Sequence, residues 1–566
     1  MAELDSGIDQ RSTEQARSLA ARACEARSPL AELDQEQVDR IVGAMAATAA
    51  EHAGELAAAA VDETGYGVRA DKVRKNLFAA RTVYEFIRPM KTVGVLRRLD
   101  DRRVVEIAEP FGVVAAIVPS TNPTSTAIYK LLVAMKARCP IVISPHPAAV
   151  DCINRTVRLL ERAARGAGAP EGAISVMESV TLAGTQELMR RREVAVILAT
   201  GGMGLVRAAY SAGKPAYGVG PGNAPAYIER SADVGKAVRD VLTGKTFDNG
   251  LLCSSENSVV VDAPIAEEVR REFQAQGGNF LNSAETAALA GVLITPQRLP
   301  HPKLVGRTAV EIAGRAGLEV PKHTRALIAP LDGVGRDHPL SIEKLCPVLS
   351  FYVVADWREG CERCRQILAY GGMGHTMAIH SRDESVVLEF ALRKPAFRIV
   401  VNTPATLGSI GMTTGLDPSM TLGCGGHGGN VTSDNISPRH LLNVKRLAYE
   451  LRTARQAAAT LDSPSKQDSD AGGGRSGRAA GLDRRLVAER VAALVDAPAA
   501  AGAPVPPSPT RDPGRAAGPP TAVPFVCEED VRAAIRESRP IVIGERTIVT
   551  PAARDLAATH GVFVES

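Results

Sequence analysis

The strongest constraint on the fold is an alternation of short apolar runs and helical patterns that begins near residue 104. The runs VVEIAEP (104–110), GVVAAIVP (112–119) and PIVIS (140–144) are rich in β-branched residues and are bounded by proline or glycine. A helical pattern, STAIYKLLVAMKAR, separates the second run from the third. The same order repeats as far as residue 229, which is typical of parallel strands covered by helices. We therefore predict an α/β fold with two successive α/β layers, the second starting near residue 228.

Composition and charge exclude several other classes of protein. The formal net charge of +4 is small for 566 residues and no basic stripe occurs, so nucleic acid is not an expected partner. The N-terminus has neither the basic start nor the apolar run of a secretory signal, and no apolar stretch is long enough to span a bilayer. Nine cysteines at irregular positions do not form a disulfide framework. We expect an intracellular protein with reduced thiols and no membrane contact.

Cys253 lies in a segment that presents a thiol at a turn. In FDNGLLCSSENSVVV (247–261), a glycine precedes the cysteine, small hydroxyl residues follow it, and an apolar strand comes next. A thiolate can add to an aldehyde carbonyl, and loss of hydride from that carbon then leaves a thioester. A free cysteine is more often a small buried apolar residue, which is our expectation for Cys139, Cys152 and Cys346.

Five segments, taken together, resemble the aldehyde dehydrogenase superfamily, and specifically its CoA-acylating branch, over roughly residues 15–455. They are FDNGLLCSSENSVVV (247–261), PSTNPTST (119–126), ATGGMGLVR (199–207), EKLCPVLSF (343–351) and NTPATLGSIG (402–411), the last followed by a glycine-rich stretch within 423–448. The resemblance implies an aldehyde dehydrogenase-like α/β fold, with an atypical Rossmann cofactor domain, an α/β catalytic domain and a partly disordered C-terminal extension.

The same resemblance divides the chain. It places a helical lead-in and the dinucleotide-binding domain at 1–227, the catalytic domain at 228–403, a return segment to the cofactor domain at 404–456, flexible linkers at 457–524 and a small C-terminal unit at 525–566. Apolar spacing predicts consecutive amphipathic helices over 10–90 and a further helix over 438–456. Pro, Gly, Ala and Ser dominate 457–480 and 497–524, a composition that cannot bury enough apolar surface to fold.

The resemblance implies a role for each matched residue. Cys253 is the nucleophile, and the Asn122 side-chain amide and the backbone N–H of Cys253 stabilise the oxyanion, a contribution of about 3 kcal/mol for such donors. Glu343 holds the hydroxyls of the nicotinamide ribose. The remaining cofactor-binding positions are Pro119, Ser120, Thr121, Ser144, His146, Thr200, Gly201, Gly202 and Gly222. Taken alone, Asn followed by Pro is a common turn, and an exposed glutamate in a loop is ordinary.

The dinucleotide is expected to bind without the full G-x-G-x-x-G fingerprint. Counted from Gly202, the last glycine position is occupied by Arg207. The strand-to-helix junction still lets the backbone approach the cofactor, and the helix N-terminus favours its phosphates. Ser144 stands where many hydrolytic relatives have a lysine that contacts the adenosine ribose, so NAD is preferred and NADP stays open. Coenzyme A is the implied co-substrate.

A missing carboxylate distinguishes the two branches of the family. In hydrolytic members, the turn that corresponds to AYGVGPGNAPAYIE (216–229) carries a glutamate that activates the water attacking the thioester. Val219 occupies that position, and no Asp or Glu occurs from 202 through 228. Without this base, water is a poor attacker, whereas the CoA thiol is partly ionised and is more nucleophilic. The absence therefore predicts acyl transfer to CoA.

Beyond the main body, LDRRLVAERVAALVD (482–496) places apolar residues near one face of a short helix. With an acylating body, this tethered helix resembles those by which enzymes of bacterial microcompartments bind shell proteins, so a shell protein is a possible partner. Folding back onto the main body is an equally open alternative. Residues 525–566 have helix, strand, strand and helix signals, and their ending resembles that of some microcompartment-associated proteins. The expected location is the cytoplasm, inside a microcompartment.

Together these observations predict NAD(P)-dependent oxidation of a short-chain aldehyde to its acyl-CoA by a homo-oligomer. Hydrolysis to the free acid and a non-catalytic microcompartment assembly protein are the open alternatives. The aldehyde is open among acetaldehyde, propionaldehyde, lactaldehyde, aminated aldehydes and sulfoacetaldehyde.

His375 lies near the active cleft by resemblance, or it is a packed core histidine. CERC (361–364) lacks a second pair, so we expect a surface pair on a helix and no metal site.

Overall fold

The computed structural model describes residues 2–462 and, further along, parts of 525–565. The chain forms two compact units, Met1–Ser463 and Pro464–Ser566. None of the helices within the described residues combines the length and the apolarity that are needed to cross a membrane. The predicted amphipathic helix at 482–496 and most of the predicted linkers lie outside the described residues.

The predicted helical lead-in is confirmed. It consists of α1 (Ala2–Glu25), α2 (Arg27–Ala31), α3 (Gln35–Glu51), α4 (Ala53–Thr64), α5 (Arg69–Leu77) and, after a π-helical turn at Phe78–Thr82, α6 (Val83–Ile87). Helix α3 begins with a capping box, in which Asp34 accepts a hydrogen bond from the Gln37 N–H and the Gln37 side chain accepts one from the Asp34 N–H. Gly65, with φ 66°, ends α4 in the left-handed conformation that favours glycine.

The first parallel sheet carries the predicted βαβ units. After β1 (Val95–Leu99) and β2 (Val104–Pro110) come β3 (Val113–Val118), α7 (Pro123–Lys136), β4 (Ile141–Pro145), α8 (Val150–Gly166), β5 (Ile174–Val176), α9 (Leu182–Arg190), β6 (Val194–Thr200), α10 (Met203–Tyr210) and β7 (Ala216–Val219). The strand order is β5-β4-β3-β6-β7, and every pair is parallel. The order reverses between β3 and β6, so a crevice opens at the carboxyl ends of these two strands, where open α/β sheets bind ligands.

The second parallel sheet is larger. Its elements are β8 (Ala224–Ile228), α11 (Val234–Thr246), β9 (Glu256–Asp262), α12 (Ala266–Ala275), β10 (Gly278–Phe280), α13 (Ser283–Leu293), α14 (Ala309–Arg315), β11 (Ala326–Pro330), β12 (Val348–Val354), α15 (Trp357–Tyr370), β13 (Gly374–His380), α16 (Glu384–Leu392), β14 (Ala396–Val401) and α17 (Ala405–Ser409). The strand order is β10-β11-β12-β9-β8-β13-β14. Because β8 pairs with β9 and β13, the chain changes sheets between Val219 and Ala224. The domain limits proposed above stay a prediction.

The predicted helix over 438–456 is wrong. Residues 442–448 form β15 (Leu442–Ala448), which pairs antiparallel with β2, and β2 pairs with β1, so these strands make a separate sheet. The ladder runs from Leu442 opposite Pro110 to Ala448 opposite Val104, and these tertiary hydrogen bonds override the local helical pattern. The run VVEIAEP is thus a strand, as predicted, but it lies outside the parallel sheet. Helix α18 (Ala454–Asp462) then extends into the stretch predicted to be a linker.

Burial confirms the expectation for the structural cysteines and corrects the one for CERC. Cys139, Cys152 and Cys346 are buried in the apolar core. Cys361 and Cys364 lie on α15, as predicted, but they face the core rather than the surface. The surface expectation failed because the other face of α15, with its arginines and glutamates, is the one that meets water.

The C-terminal unit contains short strands in its described parts. Strand β16 (Phe525–Val526) pairs parallel with β18 (Ile548–Val549), and β17 (Ile541–Ile543) pairs parallel with β19 (Phe563–Glu565). The sequence predicted helix, strand, strand and helix in this order. The structure has an additional strand at the start, β16, and another at the end, β19. The unit has an apolar cluster of its own, formed by Val526, Val531, Ala534, Ile541, Ala557 and Val562.

Candidate active site

Cys253 follows a turn with an uncommon backbone. Between α11 and β9, Asp248, Asn249 and Gly250 have φ values of 50°, 53° and 74°. Asp and Asn tolerate the left-handed region better than other residues with side chains, and tertiary contacts hold them in it here. The Asn249 side chain donates a hydrogen bond of 2.9 Å to the Gly306 carbonyl, and the Asp248 carboxylate accepts one of 2.7 Å from the Val68 N–H. The turn that leads to Cys253 is therefore held by hydrogen bonds to two distant parts of the chain.

The Cys253 side chain is a partly exposed free thiol. Burial first, and then the negative charges of Glu343 and Cys424, raise its pKa to about 12 against the opposing effect of Arg398. In the cofactor-free protein the sulfur is therefore held as a thiol at neutral pH. Because the thiolate is the nucleophile, the reaction needs a group that takes this proton.

The Asn122 side chain reaches the segment that leads to Cys253. Asn122 directly precedes α7, and its Nδ2 donates to Thr121 Oγ1 at 3.2 Å and lies 3.5 Å from the carbonyl oxygen of Leu251. Its Oδ1 accepts a hydrogen bond of 2.5 Å from Lys75 Nζ. The tertiary structure thus brings together Asn122 and the Cys253 segment, which are far apart in the sequence.

Gly222 lies in the loop that connects the two parallel sheets, and there the loop comes very close to the Cys253 backbone. A Cβ atom at Gly222 would lie 2.0 Å from the Cys253 carbonyl oxygen and 3.2 Å from His375 Cγ, so only glycine fits. Its N–H donates to Glu343 Oε1 at 2.9 Å. Burial raises the pKa of Glu343 to about 8, against the effect of this hydrogen bond. Four predicted residues, Asn122, Gly222, Cys253 and Glu343, therefore surround one centre.

Val219 is the residue that the sequence analysis matches to the glutamate of the hydrolytic branch. The residue is buried at the carboxyl end of β7, and its carbonyl accepts a hydrogen bond of 3.3 Å from the Gly201 N–H. The loop from Gly220 to Asn223 then runs to Cys253 without a carboxylate. The carboxyl group whose charge acts on the Cys253 thiol is that of Glu343, which is hydrogen-bonded to the Gly222 backbone.

A cavity of about 240 Å³ lies at the crevice between β3 and β6. Its lining includes five of the predicted cofactor-binding residues, which are Pro119, His146, Thr200, Gly201 and Gly202. Thr200 Oγ1 is buried and has no hydrogen-bond partner among the described residues, as expected for a group that awaits a ligand. Gly202 directly precedes α10, whose N-terminal N–H groups favour phosphate. These features fit an adenine dinucleotide.

Other predicted cofactor residues do not face this cavity. The Ser144 side chain is fully buried, and its hydroxyl lies 2.8 Å from Thr185 Oγ1, so its hydrogen bond is made within the protein. Ser120 is buried, and the Thr121 carbonyl accepts a hydrogen bond of 3.2 Å from Lys72 Nζ. Ser120 and Thr121 thus belong to the turn that carries Asn122. The cofactor roles of all three stay predictions.

His375 is both a core residue and a neighbour of the site. It is the second residue of β13, is 1% exposed, and lies so near Gly222 that a Cβ there would be 3.2 Å from its Cγ. Burial, helped by the charge of Arg398, lowers the pKa of His375 to about 3, so the ring is neutral at neutral pH. Its Nδ1 lies 3.0 Å from Thr376 Oγ1, and its Nε2 has no hydrogen-bond partner among the described residues. With its pKa lowered this far, the ring is a weak base.

Arg398 fixes the glycine-rich segment beside His375. Its guanidinium donates to the carbonyls of Gly374 (3.2 Å), Ser433 (2.9 Å) and Gly423. Buried Cys424 lies in the same segment. Sequence patterns did not single out Arg398, because an isolated arginine within an apolar strand gives no signal of its own. The turn residues Asp and Asn in FDNG were the available signal for the anchored turn before Cys253.

The pKa of Cys253 leads to a prediction for the cofactor-free protein. We expect alkylation of Cys253 by iodoacetamide to accelerate about tenfold per pH unit from pH 7 to 9 without a plateau, because the thiolate reacts and its fraction rises in that proportion well below the pKa. Mass spectrometry of the Cys253 peptide measures the rate, and the peptide with the partly exposed Cys24 is the internal reference. A plateau below pH 8 would show that the thiol is already ionised and would contradict this prediction.

Comparisons with known proteins agree with this geometry. The model of the aldehyde dehydrogenase family matches residues 6–427. The bifunctional aldehyde-alcohol dehydrogenase AdhE of Escherichia coli is 42% identical over 436 residues, which are 76% of this chain and 49% of that relative. The chain thus spans about half the length of this curated relative.

Two solved structures extend the comparison. An acetylating aldehyde dehydrogenase from Geobacillus thermoglucosidasius shares 48% identity with a TM-score of 0.78, over 79% of this chain and 98% of that one. A propionaldehyde dehydrogenase from the fucose utilisation bacterial microcompartment of Clostridium phytofermentans shares 28% identity with a TM-score of 0.69, over 76% and 96% of the two chains. The predicted α/β fold is confirmed, and the chain belongs to the aldehyde dehydrogenase family.

Proposed function

We propose that this chain is a CoA-acylating aldehyde dehydrogenase that converts a short-chain aldehyde and coenzyme A, with NAD(P), into an acyl-CoA. The observation that carries the proposal is the contact between Cys253 and a loop, Gly220–Asn223, that provides no carboxylate to activate water. The relative from Geobacillus thermoglucosidasius is named an acetylating enzyme, which supports the same reaction here.

The first half-reaction forms a thioester on Cys253. The sulfur adds to the aldehyde carbonyl carbon, and the thiol proton passes to water at the partly exposed Cys253 side chain. The new oxyanion is stabilised by Asn122 Nδ2–H and the Cys253 N–H. A bound nicotinamide cofactor would supply the acceptor for the hydride that leaves this carbon, and Pro119, Thr200 and the glycines at 201–202, which line the cavity between β3 and β6, would hold its adenosine half.

The second half-reaction transfers the acyl group. The sulfur of coenzyme A attacks the thioester carbon, the C–S bond to Cys253 breaks, and the Cys253 sulfur takes up a proton. Hydrolysis would compete only if a base held a water molecule against the thioester. Glu343 is the nearby carboxyl group; one of its oxygens accepts the hydrogen bond from the Gly222 N–H, and the role proposed for this carboxyl is to hold the cofactor ribose.

Cofactor reduction with and without coenzyme A tests this proposal. With a panel of short aldehydes, we expect steady turnover of NAD or NADP only when coenzyme A is present, with acyl-CoA as the product. Cys253→Ala should abolish turnover, and Asn122→Ala should lower kcat about 100-fold or more because it removes an oxyanion donor. Turnover that does not depend on coenzyme A and that yields the free acid would contradict acyl transfer.

We also propose that two copies of the chain associate through their sheet edges. Strand β14 is the last strand of the larger sheet, and β15 is an outer strand of the separate sheet, so each has a side that no strand among the described residues pairs with. Large apolar side chains are exposed on or beside these edges, among them Phe397, Val401, Leu447 and Tyr449. Exposed strand edges with apolar side chains pair readily with another chain, and reciprocal pairing gives a closed dimer.

Substitutions at these edges test the association. We expect Val401→Lys combined with Leu447→Lys to shift the protein from dimer or larger species toward monomer in sedimentation velocity, because lysine opposes pairing at an edge. Leu299→Lys is the matched control, since Leu299 is exposed but lies outside both edges. An unchanged sedimentation coefficient in the double variant would rule out this interface.

We further propose that the chain works inside a bacterial microcompartment and that 482–496 binds a shell protein. The microcompartment origin of the Clostridium phytofermentans relative supports this location. The amphipathic pattern of 482–496, bounded by segments rich in Pro, Gly, Ala and Ser, supports a tethered binding peptide. Confinement would retain a reactive aldehyde close to the enzyme.

Truncation tests this location. Removing residues 463–566 should leave CoA-dependent activity largely intact, because the family match ends at residue 427 and the first compact unit ends at Ser463. The same truncation should abolish co-localisation with shell protein in cells, as followed by fluorescence microscopy. A variant in which Leu486 and Leu494 alone are replaced by Asp separates the role of 482–496 from that of the rest. Loss of activity on truncation, or co-localisation that survives it, would count against the proposal.

A further inference from the structure

A buried cluster of charges lies behind Asn122. Lys72 and Lys75, on α5, have side chains that are 2% and 1% exposed, and the Asp248 side chain is fully buried. Asp248 Oδ2 accepts hydrogen bonds from both ammonium groups, at 3.1 Å from Lys72 Nζ and at closer range from Lys75 Nζ. Nothing in the mechanism described above uses these residues. Burial of three charged groups costs desolvation free energy unless they are paired, and these three pair with one another.

This cluster connects the two halves of the active site. Asp248 belongs to the turn that leads to Cys253, and its N–H donates to Asp71 Oδ2 at 2.9 Å. Lys75 donates to Asn122 Oδ1 at 2.5 Å, and Lys72 donates to the Thr121 carbonyl at 3.2 Å. Asp248 therefore has two roles. Its carboxylate anchors the turn before Cys253, and it also binds Lys72 and Lys75, which hold the turn that carries Asn122.

Helix α5 is itself fixed to the start of α7. Asn76 Oδ1 accepts a hydrogen bond of 2.8 Å from the Thr124 hydroxyl, and Asn76 Nδ2 donates one of 3.0 Å to the Ala53 carbonyl. Lys75 therefore approaches Asn122 from a helix whose position relative to that residue is set by a neighbouring contact. A rigid support of this kind is what precise placement of a donor requires.

The orientation of an asparagine amide depends on its partners. The side chain has an acceptor end and a donor end of nearly the same shape, and rotation about its terminal bond exchanges them. An ammonium group can only donate, so it selects the oxygen end. With Oδ1 directed at Lys75, Nδ2 is directed at Thr121 Oγ1 and toward the Leu251 carbonyl, on the side of Cys253.

We propose that Lys75, held by Asp248, is a positioning residue that keeps the Asn122 amide with its N–H groups toward the oxyanion formed at Cys253. The inference depends on the proposed function, because it assigns Lys75 a role only if Asn122 is the oxyanion donor. Without Lys75, the amide can turn its oxygen toward the reacting carbonyl, where the two oxygens would repel each other. The transition state would lose a hydrogen bond that the ground state does not need.

The charge balance supports a protonated Lys75 at neutral pH. Burial, with a smaller effect from Lys72, lowers the pKa of Lys75, Asp248 and then Asp71 oppose this, and the resulting pKa is about 8. Asp71 also accepts a hydrogen bond of 2.7 Å from Arg74. The two aspartates thus offset the two lysines, and the ammonium form persists in spite of its burial.

Single-turnover kinetics of the full chain test the proposal. A short aldehyde is mixed with enzyme and cofactor in the absence of coenzyme A, and the burst of reduced cofactor reports formation of the thioester. We expect Lys75→Met to lower the burst rate about 100-fold, as loss of an oxyanion donor does, with little change in the apparent aldehyde affinity. Alkylation of Cys253 by iodoacetamide should proceed at the rate of the unaltered protein, because that reaction forms no oxyanion.

A double-variant comparison separates positioning from a general structural effect. If Lys75 acts through Asn122, the variant with both Asn122→Ala and Lys75→Met should be no slower than Asn122→Ala alone. Lys136→Met is the matched control, because Lys136 is also 1% exposed and paired with an aspartate, Asp39. It should lower the thermal unfolding temperature and leave the burst rate unchanged.

The outcomes distinguish this inference from the proposed function. A normal burst in Asn122→Ala would overturn the oxyanion role of Asn122, and the positioning role with it. A slow burst in Asn122→Ala with a normal burst in Lys75→Met would overturn the positioning role alone, as would losses that multiply in the double variant.

If Lys75→Met does not fold, Asp248→Asn replaces it, since it keeps the volume and removes the charge that holds Lys75. A loss of about tenfold that disappears on the Asn122→Ala background would support the inference, and a normal burst would overturn it.

Discussion

The contact between the Gly222 backbone and the Cys253 carbonyl is the constraint on which the site depends. A side-chain carbon at Gly222 would lie 2.0 Å from that oxygen, so the loop that joins the two parallel sheets can approach the nucleophile only with glycine at this position. The same glycine donates its N–H to Glu343, and it contacts His375. One close backbone contact thereby places Cys253, Glu343 and His375, the first two of them predicted site residues, around a common centre.

Burial then sets the chemical state of these groups. It raises the pKa of Cys253 and of Glu343 and lowers that of His375, so the thiol and the imidazole are both neutral before substrate binds. Among the buried charges, those of Lys72, Lys75 and Asp248 are paired with one another, and Lys75 also donates a hydrogen bond to Asn122.

Much of the fold could be predicted because its periodicity is local. The βαβ alternation gave both parallel sheets, and the helical lead-in followed from apolar spacing. Prediction failed where partners distant in sequence decide the structure. Residues 442–448 form a strand because they pair with β2. Cys361 and Cys364 face the core because α15 packs this side of the helix against other buried apolar residues. The cofactor role of Ser144 stays a prediction, and in the structure its hydroxyl lies 2.8 Å from Thr185 Oγ1.

The sequence by itself determined which chemical groups are present: a cysteine at a turn, an asparagine after a strand, glycines at a strand-to-helix junction, and no carboxylate from 202 through 228. These are facts of residue type and local spacing, which a single chain displays without folding. Only the tertiary structure decided which groups meet. It brought Asn122, Lys75 and the Asp248 turn together across more than one hundred residues, because α5, the start of α7 and the turn before Cys253 pack against one another. Contacts of that range arise from packing, and no local pattern records them.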